Sequence, residues 1–372
     1  KKILYRYAYE IVAGFKPSVF RFAQRFLPKV LMIFLNYQFL NPFRHLSTKK
    51  YYSNFQITGD FDLIRSLSQK GTLIVVPTHF SNTDSPIVGW ALNSIGVEPV
   101  TYGAGINLFG TQPLSFFMNN LGAYKLDRRR KNKIYSEMLK IYSQCAIERD
   151  TPSLFFPGGT RSRSGGLEDK LKLGLLSTAI EAQQENYIHN RKKIFVLPLV
   201  INYQYNVEAA SLVNQHLKEV GKEKYVAADS FEYSTTYKIW RFIKQLCRVR
   251  SEIVISFGKP LDVLGNEVNN KGESTSKQNQ KLDIKGYFEI ENSIVRDEQR
   301  NFEYTKILGD KIISSFHQYN TVMSAPLVAF VYFELLKKRH RTLTLFELIL
   351  LPREDRIIRK ESMILGIESI QQ

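Results

Sequence analysis

Two short stretches of the chain carry side chains that could do chemistry together. The first reads Val75-Val76-Pro77-Thr78-His79-Phe80-Ser81-Asn82-Thr83-Asp84-Ser85-Pro86. On one straight helix, side chains five residues apart diverge by about 140°, so His79 and Asp84 would not meet there. Across a junction of strand, loop and helix they can. Asp84 then accepts from one imidazole nitrogen and leaves the other to take a proton. That is a base with its orienter, and no protein nucleophile accompanies it. A single histidine and aspartate at this spacing is more often an ordinary loop pair. The second stretch reads Leu154-Phe155-Phe156-Pro157-Gly158-Gly159-Thr160-Arg161-Ser162-Arg163-Ser164-Gly165-Gly166. Glycines let backbone N–H groups approach an anion, and arginine offers forked donors that match phosphate oxygens. The Gly-Lys-Ser/Thr of a nucleotide phosphate loop is missing.

Two further stretches are weaker on their own. Gly122-Ala123-Tyr124-Lys125-Leu126-Asp127-Arg128-Arg129-Arg130-Lys131 places five basic residues after a glycine, enough to hold a phosphate or to be a solvated helix start. Phe195-Val196-Leu197-Pro198-Leu199-Val200-Ile201-Asn202-Tyr203 reads as a buried strand whose proline suggests an edge or a bulge.

These residues need a frame, and the chain between Phe55 and Phe257 supplies an alternating one. Apolar, β-branched runs predict strands over Thr72–Val76, Leu154–Phe156, Phe195–Ile201 and Ile253–Phe257. Helical spacing predicts helices over Pro86–Ile95, Asn132–Ile147, Lys172–Glu185 and Glu208–Val220, with Ser85 as N-cap and Pro86 first in its helix. Such alternation means an α/β fold: a mixed, mostly parallel sheet flanked by helices, with functional groups at the carboxyl ends of strands. Four regions are expected. Residues 1–50 form an amphipathic helical part, cut by Pro17 and Pro28, and 51–262 form the α/β domain that carries the four stretches. Residues 263–285 form a polar flexible loop or linker, and 286–372 add a helical tail. Helix is expected over Tyr287–Tyr319 and Met323–Leu351, with a capping box at Thr344 and Glu347.

Lys plus Arg number 52 against 35 Asp plus Glu in 372 residues, a net charge of +17. That balance points to anionic partners. Residues 1–44 hold eight basic side chains, one acidic one, and apolar residues every three or four positions. The same pattern serves a helix in a membrane interface and a helical layer packed on the protein's own core. No run of about 18 apolar residues predicts a spanning helix, and no leader peptide is expected. The two cysteines, Cys145 and Cys247, are far apart, support neither a disulfide framework nor a zinc site, and read as core residues. No metal cluster and no nucleic-acid motif is seen.

Taken in this order, the four stretches resemble the glycerolipid acyltransferase family, which acylates glycerol-3-phosphate, lysophosphatidate and related acceptors. His79-x4-Asp84 with Pro86 is similar to its first motif, and Gly122 through Arg128 to its second. Phe156 through Arg161 is similar to its third, and Val196-Leu197-Pro198 to its fourth. The likeness runs from residue 55 to 260. It is nearest the glycerol-3-phosphate branch, through Gly159–Gly165 and Ile201–Glu208 and, more weakly, the tail from Ser324 to Leu345. One departure is Gly158, where many members carry Glu.

The resemblance implies a membrane-associated enzyme at the cytoplasmic face. It would move an acyl group from acyl-CoA or acyl carrier protein to glycerol-3-phosphate, or alternatively to lysophosphatidate or dihydroxyacetone phosphate, in phospholipid synthesis. His79 and Asp84 would be catalytic. Arg128, Gly158, Gly159, Thr160, Arg161, Ser162 and Arg163 would bind the phosphorylated acceptor. No metal and no cofactor beyond the acyl donor is implied. The competing class is a non-catalytic basic protein bound to anionic membrane surfaces.

Overall fold

The structure, a computed structural model, describes residues 1–35, 55–110, 114–127, 129–130, 132–206, 208–219, 221 and 252–371. Arg128 and Cys247, both singled out in the sequence, lie outside the described residues.

Seven strands form one sheet: β1 (Phe55–Thr58), β2 (Gly71–Pro77), β3 (Thr101–Gly105), β4 (Ala123–Leu126), β5 (Ser153–Leu154), β6 (Lys193–Tyr203) and β7 (Ile253–Phe257), in the spatial order β1-β7-β6-β2-β5-β3-β4. Neighbours run parallel except β6 and β7, which pair antiparallel. The expected mostly parallel sheet is therefore present. β2 and the inner part of β6 are buried on both faces and read as unbroken apolar runs, as inner strands of such sheets do. Pro198 stands inside β6, an inner strand, not at the edge its sequence suggests. Its carbonyl accepts from Gly258 at 2.9 Å, where β7 has just ended, so its missing N–H falls beside a strand that is running out.

Alternate residues of each strand point to opposite faces and build two cores. Leu73, Val75, Leu197, Leu199, Ile201 and Ile255 meet α3 (Phe61–Lys70) and α4 (Asp84–Ser94) on one face. Ile74, Val76, Val196 and Val200 meet α6 (Lys133–Glu148), α7 (Leu173–Ile188) and, further along the chain, Leu308, Ile312 and Phe316. Those three residues belong to a helix numbered below. α5 (Leu114–Asn120) leads into β4, and α8 (Ala209–Glu219) follows the end of β6.

α1 (Lys2–Ile11) and α2 (Pro17–Leu35) form the expected N-terminal helices. Pro17 opens α2, but Pro28 lies within it and does not end it. One side of α1 packs inward: Ile11 is buried with Tyr124 and Tyr135, while Tyr9 is 88 % exposed. No single described helix is long and apolar enough to cross a membrane.

The segment 263–285 is not the structureless loop its composition predicts. It is a meander of β8 (Glu267–Val268), β9 (Ser274–Thr275) and β10 (Lys281–Leu282). Its turns are made by side chains: Asn269 accepts from the N–H of Lys271 and Glu273, and Ser276 from Gln278 and Gln280. Val268 is buried in the first core. Helix expected from Tyr287 is likewise replaced by a hairpin of β11 (Glu289–Ile290) and β12 (Ser293–Ile294), whose turn residues Glu291 and Asn292 both have positive φ. The tail follows as α9 (Glu298–Tyr319), α10 (Ser324–Arg339), α11 (Leu345–Leu350) and α12 (Lys360–Gln371). The Thr344–Glu347 capping box is formed at the start of α11. Cys145 is exposed on α6 rather than in the core.

Candidate active site

The carboxyl ends of β2, β5 and β6 release their chains on the same edge of the sheet, so the motif loops meet there. β2 ends at Pro77, and Thr78 still pairs with β6 through its N–H to Leu199. His79 follows. Its Nδ1 lies 2.8 Å from Asp84 Oδ2, which also accepts the N–H groups of Phe80 at 2.7 Å and Ser81 at 2.8 Å. These bonds wind the turn early, so α4 begins at Asp84 with Thr83 as N-cap, two residues before the Pro86 start expected from sequence. The five-residue spacing thus brings imidazole and carboxylate together through a turn. The carboxylate only accepts, so Nδ1 carries the proton and Nε2 keeps its lone pair. Among the described residues no protein group is bonded to Nε2, and the His79 side chain is 12 % exposed.

The other carboxylate oxygen of Asp84 accepts from the Tyr203 hydroxyl at 2.5 Å, at the end of β6. Burial, with Asp84 adding to it, pushes that hydroxyl well above the ordinary tyrosine range, so Tyr203 remains a donor. Five residues on, Glu208 reaches back across the site. Its Oε1 accepts from Ser81 Oγ at 2.5 Å and Asn82 N at 2.8 Å, and its Oε2 accepts from Asn82 Nδ2 at 2.8 Å and from Arg161 Nη1. Asn206 Nδ2 donates to Phe80 O at 3.0 Å. One carboxylate therefore ties the histidine loop to the arginine turn. Glu208 is 6 % exposed and Arg161 24 %, so the guanidinium keeps a wet edge.

The turn after β5 is built around Gly159, whose φ of +77° is open to glycine at no cost, with its N–H on Phe156 O at 3.0 Å. It approaches His79 closely. Ser162 N donates to His79 O at 2.7 Å, and the imidazole stacks on Phe156 with ring centres 3.9 Å apart. The Ser162 hydroxyl is engaged by Gly166 O at 2.8 Å, while Thr160 is exposed. Beside the turn lies a cavity of about 250 Å³ walled by Leu126, Leu139, Phe155, Phe156 and Leu175, with Lys172 at Gly159.

Residues 60–202 match the family profile described as acyltransferase. A glycerol-3-phosphate acyltransferase of Haemophilus ducreyi is 30 % identical over 204 residues, covering 54 % of this chain and 23 % of that protein. One from Pseudoalteromonas atlantica is 24 % identical over 260 residues, covering 69 % and 28 %. The chain thus spans about a quarter of the length of these curated relatives. A crystal structure of the 1-acyl-sn-glycerophosphate acyltransferase of Thermotoga maritima aligns over 81 % of this chain and 84 % of its own, at 13 % identity and a TM-score of 0.36.

Within this matched stretch the structure brings His79, Asp84, Gly158, Gly159, Arg161 and Ser162 together. Arg163, one residue further on, lies in the same loop. Sequence reasoning passed over Tyr203, Glu208 and Glu168 as site residues. The first two lay in a quoted run, where a tyrosine at a strand end and an acid after a polar turn were the available signals. Glu168, whose Oε1 accepts the His79 N–H at 3.3 Å, offered no signal at all.

Proposed function

We propose that this chain is an O-acyltransferase that moves a fatty acyl group from a thioester donor to a hydroxyl of glycerol-3-phosphate. The observation that carries the reading is the His79–Asp84 pair, with a free Nε2, bonded through its main chain to a turn bearing Arg161. The named activity of the curated relatives points the same way.

His79 Nε2 takes the proton of the acceptor hydroxyl as its oxygen attacks the thioester carbonyl. The new C–O bond forms, the C–S bond breaks, and the imidazolium returns the proton to the departing thiolate. Base assistance of this kind supplies about 10² to 10⁴ in rate. Asp84 orients the ring and stabilises the charge that develops on it, while Tyr203 and two backbone N–H groups hold Asp84. Arg161 binds the acceptor phosphate from its exposed edge and so fixes the hydroxyl near His79. The apolar cavity beyond Phe156 suits the acyl chain. The donor is acyl-CoA or acyl carrier protein, and neither a metal nor a further cofactor enters the chemistry.

The working surface is anionic lipid. Exposed Ile3, Leu4, Tyr5, Tyr9, Phe22 and Phe26 share α1 and α2 with Lys2, Arg6, Arg21 and Arg25, and Lys1 and Lys16 immediately precede the two helices, the composition of an interfacial helix pair.

The test is transfer of a labelled acyl group to glycerol-3-phosphate. His79→Ala is expected to lower kcat by about 10³-fold or more with the fold intact. Arg161→Ala is expected chiefly to raise KM for the acceptor. Wild-type transfer by His79→Ala would remove the His79 base mechanism, and no transfer by the unaltered chain would leave only the non-catalytic membrane-binding reading. Lysophosphatidate and dihydroxyacetone phosphate in the same assay decide among acceptors.

A further inference from the structure

The main chain of His79 is gripped on both sides by one loop. Its C=O accepts from Ser162 N at 2.7 Å, and its N–H donates to Glu168 Oε1 at 3.3 Å. Its ring lies on Phe156, at the start of the same loop. Phe156, Ser162 and Glu168 are separated by six residues each. The loop therefore wraps the histidine rather than merely adjoining it.

Glu168 makes the least expected of these contacts. Ten residues past Gly158, its carboxyl group returns to lie against that glycine. A methyl group added at Gly158 would stand 2.8 Å from Glu168 Cγ and 2.9 Å from Oε1, closer than a real Cβ contact. Position 158 is thus empty because Glu168 fills its space. The second oxygen, Oε2, is shut off from solvent and has no protein partner among the described residues. A buried carboxylate left in that state bears a desolvation penalty, which the neutral acid largely escapes. Burial accordingly pushes the carboxyl of Glu168 above the usual glutamate range; its own N–H and that of His79 pull the other way, and Asp84 adds to the rise.

We propose that Glu168 is a positioning residue that locks the His79 main chain to the Gly158–Gly159 turn, so that the imidazole and the arginine turn hold one fixed separation. This deepens the acyl-transfer reading and rests on it. A glutamine keeps nearly the same shape and the same acceptor at Oε1, whereas alanine removes the clamp.

The experiment uses the full chain with an acyl-CoA donor and glycerol-3-phosphate. Glu168→Ala is expected to lower kcat about 30-fold with KM for the acceptor within about 3-fold, the signature of lost alignment rather than lost binding. Glu168→Gln is expected to lose less than about 5-fold. Gly158→Ala alone is expected to lose more than about 10-fold, because its methyl group meets the carboxyl, while Gly158→Ala combined with Glu168→Ala is no worse than Glu168→Ala alone. A Glu168→Gln variant as poor as Glu168→Ala would overturn the proposal, since the shape of the side chain and its Oε1 acceptor would then not be what holds His79. So would a Glu168→Ala variant with wild-type kcat, or losses at 158 and 168 that simply multiply. Thermal melting of the same four proteins gives the 158–168 coupling without any assay. Coupled melting with no transfer by the wild-type chain would sink the acyl-transfer reading and leave the contact standing. Uncoupled melting would sink the contact itself.

Discussion

At the scale of single residues, the site is a set of acceptors arranged around one imidazole. Asp84 takes four hydrogen bonds and Glu208 takes four, so neither carboxylate has room to drift. Removing the hydroxyl in Tyr203→Phe strips one bond from Asp84 while the ring stays in place. A bond to a charged acceptor contributes about 1.5–3 kcal/mol, so a fall in kcat of about 10- to 100-fold at unchanged acceptor KM is expected. A change in KM alone would assign Tyr203 to binding instead. Glu168 makes a prediction about pH. Its carboxyl binds a proton more readily folded than unfolded, so its contribution to stability is fully present below the usual glutamate range and fades as pH rises through the folded value. Glu168→Gln removes that dependence. The urea midpoint of the variant should therefore gain on wild type as pH rises from 4 to 7, and a constant difference would contradict the upward push on this carboxyl.

At the scale of elements, packing of α1 is open to a direct test. Ile11 is buried against Tyr124 and Tyr135, so Ile11→Ala should cost about 2–4 kcal/mol and lower the melting temperature by several degrees. No change would mean that α1 is held by something other than this contact. The elements were legible in unequal measure. β2, β6 and β7 lie within two residues of where their apolar runs place them, as do α4, α6 and α8, and α7 runs three residues past its expected end, because long runs with one period leave little choice. β1, β3 and β4 escaped notice: each has four or five residues, and β3 contains two glycines. The meander at 263–285 was misread because its strands are two residues long and are specified by Asn269 and Ser276 side chains, not by apolar alternation. The histidine–aspartate pairing is not decided by its own spacing, which more often marks an ordinary loop pair, but by the four stretches standing in order. Its supports, Tyr203 and Glu208, depend on β6 lying beside β2, a tertiary fact that no local pattern contains.

At the scale of the whole molecule, the net charge of +17 and the apolar outer side of α1 and α2 act together. Vesicles containing about 30 % phosphatidylserine should sediment the protein at low salt and release part of it as ionic strength rises, since exposed charges are screened over about 8 Å at 0.15 M salt. Replacing Tyr5, Tyr9, Phe22 and Phe26 with serine should weaken sedimentation at every salt concentration. Unaltered sedimentation would count against lipid contact through α1 and α2.

The bonds that hold the histidine loop come from far along the chain: Ser81 meets Glu208 across 127 residues and Asp84 meets Tyr203 across 119. Closing loops of that size carries an entropic penalty that local structure cannot offset. During synthesis, then, the segment bearing His79 leaves the ribosome long before anything can fasten it. The geometry around His79 cannot be completed until Glu208 has emerged, and a nascent chain halted before residue 208 should contain a sheet in formation but an unfastened histidine loop.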